Sequence, residues 1–304
     1  MSSYDAVLIA GPTASGKSAA ALELAEALGG TIINADSMQV YREAPILTAQ
    51  PGAADRVRAP HLLYGHVSAR EIYSVGRYAE DASAALADTR ASGKLPIFTG
   101  GTGLYFMALT DGLAQIPETP PEIRENARAR LEEIGVAALH EELMALDPKT
   151  ASGLRPTDPQ RVLRAYEVFE ATGRPLLDWQ QFPSDPILKN LRLAKILVDR
   201  PREISRDRIA RRFEAMVDNG GLEEAMALKD LDPSLPAAKL LGLRPLIALG
   251  EGKMSRAEAL ELAITATRQF AKRQGTWFRN RMPEYVRFDP DNGNIISILR
   301  DNFA

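Results

Sequence analysis

The stretch Gly11–Ser18, "GPTASGKS", constrains this chain more than any other, because it fits the pattern G-x4-G-K-[ST] in full. It follows the apolar run "AVLIA", which predicts a buried strand, and it opens "KSAAALELAEALG", which predicts a helix. The glycines allow successive backbone N–H groups to point into one concavity at the positive end of that helix. A chance glycine-rich turn is the competing interpretation, and the flanking strand and helix disfavour it.

This phosphate loop predicts a phosphate chain bound with Mg²⁺, but it does not say which bond is broken. Lys17 supplies a full positive charge to the distal phosphate, and the Ser18 hydroxyl is the expected metal ligand. The residues assigned to phosphate binding are Gly11, Pro12, Thr13, Ala14, Ser15, Gly16, Lys17 and Ser18.

Strand and helix patterns alternate along the chain, which predicts an α/β fold: a P-loop NTPase-like parallel sheet with right-handed crossovers. The strand candidates are 5–10, 31–35, 95–100 and 191–199. Residues 111–187 have little strand character and form the predicted helical insertion domain. The core domain is then 1–110 with 188–304, whose basic C-terminal part is predicted to be helical at 203–218, 221–229, 236–249 and 255–280. About the last 15 residues carry no strong pattern.

The composition excludes several classes of protein. The 304 residues contain no cysteine, so disulfide frameworks and cysteine-ligated zinc are ruled out, and the three histidines are too scattered to suggest a metal cluster. We see neither a signal peptide nor a run of about 18 apolar residues, so we expect a cytoplasmic protein without membrane contact.

The charge is distributed unevenly. Residues 1–187 hold 16 basic against 24 acidic side chains, whereas 188–287 hold 20 basic against 13 acidic. This asymmetry favours an anionic partner with a defined docking face, although it also occurs in proteins that never bind nucleic acid.

Two short stretches follow predicted strands, where ligands bind in open α/β sheets. In "DSMQVY" (36–41), the local pattern leaves three roles open for Asp36: it binds a metal ion through water, caps a helix N-terminus or acts as a general base. In "TGGTGLY" (99–105), the glycines either let a ligand approach the backbone or only form a tight turn.

Two C-terminal segments carry clustered cations. The segment "TRQFAKRQGTWFRNR" (267–281) has five cations, no acid and an aromatic pair, which suits nucleic acid; the alternative is a solvated helix with Trp277 in the core. In 199–216, six arginines alternate with acids, typical of a paired helix surface, and we assign one of them, Arg208, to the phosphates.

In this order, "GPTASGKS", "DSMQVY", "GGTGLY", "DPQRVLRAYEVFEATG", "VDRPREISRDRIARRF" and "TRQFAKRQGTWFRNR" resemble the bacterial tRNA dimethylallyltransferases over residues 5 to about 281. The resemblance implies transfer of a dimethylallyl group from dimethylallyl diphosphate to N6 of adenosine 37, 3′ of the anticodon. The phosphate loop would then hold this diphosphate rather than ATP. Asp36 would be the general base, Lys17 would stabilise the leaving group, and Thr13 would bind near the adenine.

The resemblance also implies contacts with the tRNA anticodon stem-loop, whose target base must be flipped out of the stack. The residues that match or adjoin the family's contacts are Asp36, Ser37, Met38, Gln39, Thr102, Arg124, Gln160, Arg161, Val162, Leu163, Arg164, Lys239 and Arg244, to which the basic segment adds Arg268, Lys272 and Arg273. The chain departs from the family at Gly242–Pro245, which lacks the usual aromatic and acid. We expect a monomer.

Three other functions share parts of this pattern. A kinase of the same loop class would consume ATP and has no need of the basic Trp-containing helix. A prenyltransferase acting on free adenine nucleotides has no need of the helical insertion. A nucleotide-gated RNA-binding protein would leave Asp36 without a role.

Overall fold

The computed structural model describes residues 4–303, and its centre is a sheet of six parallel strands in the order β3-β2-β4-β1-β5-β6. The strands are β1 (Ala6–Ala10), β2 (Gly30–Asn34), β3 (His61–Leu62), β4 (Leu95–Gly100), β5 (Leu193–Val198) and β6 (Val286–Phe288). Every neighbouring pair is parallel, so all six strands end at the same edge of the sheet. The α/β fold class predicted from the sequence is confirmed.

Thirteen α-helices connect or extend these strands within the described residues. They are α1 (Lys17–Leu28), α2 (Ala53–Arg58), α3 (Val75–Ala91), α4 (Gly103–Thr110), α5 (Pro121–Leu146), α6 (Pro148–Ala151), α7 (Pro159–Thr172), α8 (Leu176–Gln180), α9 (Arg202–Met216), α10 (Leu222–Ala227), α11 (Leu243–Gly250), α12 (Arg256–Arg281) and α13 (Ile295–Phe303). Among the residues described, no helix combines the length and apolar character needed to cross a bilayer.

The sheet separates two hydrophobic layers, because successive side chains of a strand point to opposite faces. On β1, Val7 and Ile9 pack in a layer with α1 and α13, whereas Leu8 and Ala10 pack in the larger layer with α3, α4, α9 and α12. All four side chains are fully buried. The phosphate loop, which follows β1, and the basic helices α9 and α12 are therefore anchored to the same sheet.

The chain divides into two compact units, 1–109 with 187–304, and 110–186. The second unit is helical and has its own small core, in which Leu139 and Leu143 of α5 pack with Val162 and Ala165 of α7. Its α5 is broken at Gly135, where φ is 79°. Each unit thus has an apolar interior of its own.

Four predicted strands and most predicted helices are confirmed, but the C-terminal region differs. The predicted helix 236–249 is wrong as a single element, because Gly242 has φ of 83° and separates a 3-10 turn, Pro236–Lys239, from α11. The final residues are ordered rather than unpatterned: β6 adds an edge strand beside β5, and α13 buries Ile295 and Leu299 against the sheet.

Candidate active site

The phosphate loop joins the carboxyl end of β1 to α1. Gly16 has φ of 99° and ends the loop at the start of α1, a left-handed backbone that glycine adopts without a steric penalty. A side chain at Gly11 would lie 2.8 Å from both Ser15 Oγ and the Val198 carbonyl oxygen, so the loop is packed against the end of β5. The first N–H groups of α1 have no acceptor within the helix and are directed at whatever the loop holds.

Lys17 lies inside this loop and is largely surrounded by protein atoms, although part of its side chain reaches solvent. Its Nζ donates to the Pro12 carbonyl oxygen at 3.4 Å. Burial lowers the pKa of Lys17 to about 8; the nearby Asp36 carboxylate opposes this shift, and the Arg212 guanidinium adds to it. Burial removes water that would stabilise the charged ammonium group. An anion bound in the loop would stabilise that charge instead and raise the pKa of Lys17.

Asp36 stands at the end of β2, and its position is fixed by its neighbours. Its backbone N–H donates to Asn34 Oδ1 at 2.9 Å, and its Oδ1 accepts from the Met38 N–H at 3.0 Å. Asn34 is fully buried and its Nδ2 also donates to the carbonyl oxygens of Asp36 and Leu63. The described backbone begins no helix at this point, so the N-cap interpretation of Asp36 is wrong: its carboxylate closes an Asx turn and keeps Oδ2 for other partners.

The glycines of "TGGTGLY" serve packing beside this carboxylate. A side chain at Gly100 would collide with the Ala35 carbonyl oxygen at 2.0 Å, and one at Gly103 would enter the Trp277 ring at 2.2 Å. Thr102 Oγ1 accepts from the Ser37 N–H at 2.9 Å, which ties this turn to the residue after Asp36. Of the two interpretations left open, the tight-turn one therefore accounts for Gly100 and Gly103.

Gln274 of α12 joins the phosphate loop to the same turn, and the sequence analysis missed it. Its Oε1 accepts from the Thr13 N–H at 2.9 Å and from Thr13 Oγ1 at 3.1 Å. Its Nε2 donates to the Gly101 carbonyl oxygen at 2.8 Å, and the side chain is only 7% exposed. The two elements lie 261 and 173 residues from Gln274 in the chain, so no local pattern could reveal the contact.

An apolar cleft opens between the phosphate loop, Asp36 and two C-terminal helices. Its polar groups include Thr13, Asp36 and Arg212. The rest of its wall is largely apolar: Met38, Leu47, Ile209, Phe213, Met216, Leu240, Leu241 and Phe270. The structure therefore brings Thr13 and Asp36, both predicted as catalytic, to one cleft.

Arg212, rather than Arg208, is the α9 arginine that lines this cleft. Burial lowers the pKa of Arg212; the Asp36 carboxylate opposes this and neighbouring Arg208 adds to it. Arg208 is exposed and does not line the cleft. Arg212 could have been found from the sequence, since it lies within the apolar i, i+3, i+4 stripe of Ile209, Phe213 and Met216.

Arg200 lies behind the phosphate loop. It is 8% exposed and forms an ion pair with Asp291, with Nε 2.7 Å from Oδ2 and Nη2 donating to Oδ1 at 2.8 Å. A side chain at Gly16 would lie 3.5 Å from Arg200 Nη2 and 3.3 Å from Pro290 Cγ. The 289–291 segment therefore packs close to the loop and supports it.

The oxygen donors near Ser18 fit Mg²⁺. Within the described residues there is no cluster of three or more acidic or histidine side chains for a metal. Mg²⁺ needs only one or two protein oxygens when substrate phosphates and water complete its shell. Ser18 lines a cavity of about 440 Å³ together with Thr99, whose buried Oγ1 has no hydrogen-bond partner in the described part of the chain.

The residues expected to contact tRNA fall in both units. In the sheet unit, Lys239, Arg244, Arg268, Lys272 and Arg273 have exposed side chains, whereas the Gln39 amide is committed to the carbonyl oxygens of Thr48 and Ala49. Asp36, Ser37, Met38 and Thr102 also belong to the sheet unit, and the remaining residues lie in the helical unit. There Gln160 and Arg161 are exposed, and Leu163 is half-buried.

Three of these helical-unit side chains already make contacts within the protein. Val162 is fully buried in the helical core, so its side chain faces away from any ligand surface. Arg164 donates to Thr119 Oγ1 at 3.0 Å, and Arg124 lies 3.8 Å from Glu118. Their roles toward tRNA stay predictions.

A phosphate loop at the carboxyl edge of a parallel sheet, with a carboxylate, two cations and an apolar cleft beside it, defines an α/β protein whose site suits group transfer from a phosphorylated, partly apolar donor. The comparison with protein families agrees with this class.

The model of the IPP transferase family matches residues 39–281, and that of isopentenyl transferases matches 4–70. The chain belongs to the IPP transferase family. A tRNA dimethylallyltransferase from Rhodopseudomonas palustris strain BisB18 is 52% identical over 288 residues, covering 94% of this chain and 91% of that protein.

Solved structures agree with this membership. The crystal structure of a tRNA isopentenylpyrophosphate transferase from Bacillus halodurans is 32% identical with a TM-score of 0.67, covering 98% of this chain and 95% of that one. A eukaryotic dimethylallyltransferase acting on tRNA gives a TM-score of 0.74 at 26% identity, covering 90% and 69%.

Proposed function

We propose that this protein transfers the dimethylallyl group of dimethylallyl diphosphate to N6 of adenosine 37, directly 3′ of the tRNA anticodon, and releases diphosphate. The observation that carries the proposal is the joint presence of Thr13, Asp36 and Arg212 in one apolar cleft at the phosphate loop. The apolar wall beside the phosphate loop suits a five-carbon chain attached to a diphosphate.

The diphosphate would occupy the phosphate loop, and the prenyl chain the apolar cleft. As the bond between C1 and the bridging oxygen breaks, its electron pair goes to the departing diphosphate. Lys17, the N–H groups at the start of α1 and Arg212 would stabilise this growing charge. When bound at Ser18, Mg²⁺ supplies further stabilisation of the diphosphate oxygens.

The acceptor is a poor nucleophile, since the N6 lone pair is delocalised into the adenine ring. As N6 forms its bond to C1, the nitrogen becomes acidic and needs a base. Asp36 would supply one: its Oδ1 accepts from the Met38 N–H, and its Oδ2 would take the N6 proton. General-base help of this kind contributes about 10²–10⁴-fold to a rate.

The tRNA would dock on exposed cations of the sheet unit, with the target base flipped into the cleft. Arg268, Lys272 and Arg273 of α12 are exposed and lie on the helix that also carries Gln274. Phosphates of the anticodon stem-loop match these cations. We further propose that the protein acts as a monomer in the cytoplasm, where its tRNA substrate would be found.

The test is incubation of the protein, Mg²⁺, radiolabelled dimethylallyl diphosphate and unmodified tRNA, followed by nucleoside analysis. We expect label in N6-isopentenyladenosine from the position 3′ of the anticodon. A tRNA carrying guanosine at that position and free AMP are the matched control acceptors. Label in AMP but not in tRNA would favour the nucleotide prenyltransferase, and ATP consumption without prenyl transfer would favour the kinase.

A further inference from the structure

Two hydrogen bonds join Thr13, which lines the cleft, to the buried side chain of Gln274. The Gln274 amide orientation is fixed by backbone partners, because Thr13 N can only donate and the Gly101 carbonyl oxygen can only accept. Oε1 therefore faces Thr13 and Nε2 faces Gly101. With Oε1 as an acceptor, the contact from Thr13 Oγ1 at 3.1 Å is a donation by the hydroxyl.

That donation determines what Thr13 offers to a ligand. A hydroxyl has one proton and two lone pairs, and the proton of Thr13 is used by Gln274. Thr13 therefore presents only acceptor capacity to the cleft that it lines. Asp36 lines the same cleft, and an ionised carboxylate is likewise an acceptor only.

We infer that Gln274 is a positioning residue that makes the Thr13 hydroxyl an obligatory acceptor, so that Thr13 and Asp36 together select an amino group as the nucleophile. The inference rests on the proposed function and refines its substrate specificity. Adenine presents two N–H bonds at N6, one for each acceptor. A 6-oxopurine presents a carbonyl oxygen there, which faces two acceptors without any proton to share.

The burial of Gln274 makes this selection strict. The amide is 7% exposed, and its three described hydrogen bonds all go to the phosphate loop and the Gly101 turn. A side chain at Gly101 would lie 2.3 Å from Gln274 Nε2 and 3.1 Å from Asp36 Oδ2, so the amide and the carboxylate share one small space. Water is therefore poorly placed to replace the amide if it is removed.

The test compares Gln274→Met, which keeps the length of the side chain but accepts weakly, with the unaltered protein. Each is assayed for dimethylallyl transfer to an adenosine anticodon stem-loop. The same stem-loop with inosine at the target position is then titrated as a competitor. We expect kcat to fall about 10–100-fold in Gln274→Met, because the half-buried Thr13 hydroxyl and N–H lose their hydrogen-bond acceptor. We also expect the preference for adenosine over inosine to narrow by about tenfold or more, since Thr13 can then donate to an oxo group.

Two further comparisons separate positioning from general damage. Thr13→Val removes the hydroxyl and should narrow the preference for adenosine over inosine as Gln274→Met does. Thr13→Ser keeps a hydroxyl and should keep this preference. The double variant Thr13→Val with Gln274→Met should lose little more of the preference than either single variant. Phe278→Leu, a fully buried change in α12 whose ring contacts Phe106 rather than the cleft, should lower thermal stability without changing the preference.

The inference is overturned if Gln274→Met keeps the adenosine preference. It is also overturned if Thr13→Val keeps the preference, a result that is available even where Gln274→Met does not fold. Failure of the unaltered protein to label any tRNA would instead refute the proposed function, so the two failures are distinguishable.

Discussion

Helices α9 and α12 are both rich in arginine, yet they serve the cleft in opposite ways. On α9, Arg212 lines the cleft, and its charge acts on Asp36 and Lys17. On α12, the cations Arg268 and Lys272 are exposed, and the residue that reaches the phosphate loop is the neutral Gln274. The number of charges on a helix therefore does not indicate which charge takes part in the chemistry; the apolar residues around each charge do.

The largest loss of activity should come from Asp36, the carboxylate near which Arg212 lies. In Asp36→Asn, the amide oxygen still accepts from the Met38 N–H, but the base is lost. We expect the single-turnover transfer rate to fall about 10²–10⁴-fold, with dimethylallyl diphosphate affinity nearly unchanged by calorimetry. An unaltered rate would show that Asp36 is not the base.

The second effect tests the two α9 arginines against each other. Arg212→Gln should weaken diphosphate binding and transfer by about 10–100-fold, because a charge-assisted contact is worth about 1.5–3 kcal/mol. Arg208→Gln, on the exposed side of the same helix, is the matched control and should cost much less. Equal losses in the two variants, measured as kcat/KM for the diphosphate, would contradict the assignment of Arg212 to the cleft.

A third effect follows from the buried position of Lys17. Its lowered pKa, about 8, means that the free protein loses the Lys17 proton as the pH rises through 8, and with it the attraction for diphosphate. We expect the dissociation constant of dimethylallyl diphosphate to increase by up to about tenfold per pH unit above 8. Lys17→Arg keeps its charge and should abolish this dependence; a wild-type affinity that is flat from pH 7 to 10 would show that Lys17 is not the titrating group.

The smallest effect should come from the exposed face of α12. Lys272→Gln should weaken tRNA binding a few-fold at moderate salt and reduce the slope of log affinity against log salt by about one, as expected for one phosphate contact. Filter binding over a salt series measures this. A slope equal to that of the unaltered protein would mean that tRNA docks on another face, and kcat at saturating tRNA should stay unchanged in either case.

The sequence predicted the features that local patterns encode. The phosphate loop, four strands and Asp36 at the end of β2 all depend on residues within a few positions of one another. The short β6 and α13 escaped prediction because their stability comes from β5 and α1 rather than from their own pattern. Gly242 lies three residues before Pro245, which is a signal for a break, but the apolar residues on both sides keep a helical periodicity that hides it.

The missed site residues share a different cause. Asn34 is a polar side chain within a buried strand, and its partner Leu63 lies 29 residues away; Gln274 binds the loop 261 residues away. Such amides look like ordinary strand or helix residues until the fold brings their partners near. Arg212 differs from both, since a cation inside an apolar stripe is visible in the sequence.

The support of the phosphate loop by the 289–291 segment has a consequence for how the protein is made. The loop precedes its supporting residues in the chain: Arg200 comes after β5, and Asp291 and the α13 side chains that pack behind α1 follow much later. β1 also lies in the middle of the sheet, between β4 and β5. During translation the phosphate loop is therefore made before the residues that pack against it, and we expect its support by Asp291 and α13 to be complete only after those residues have been synthesised.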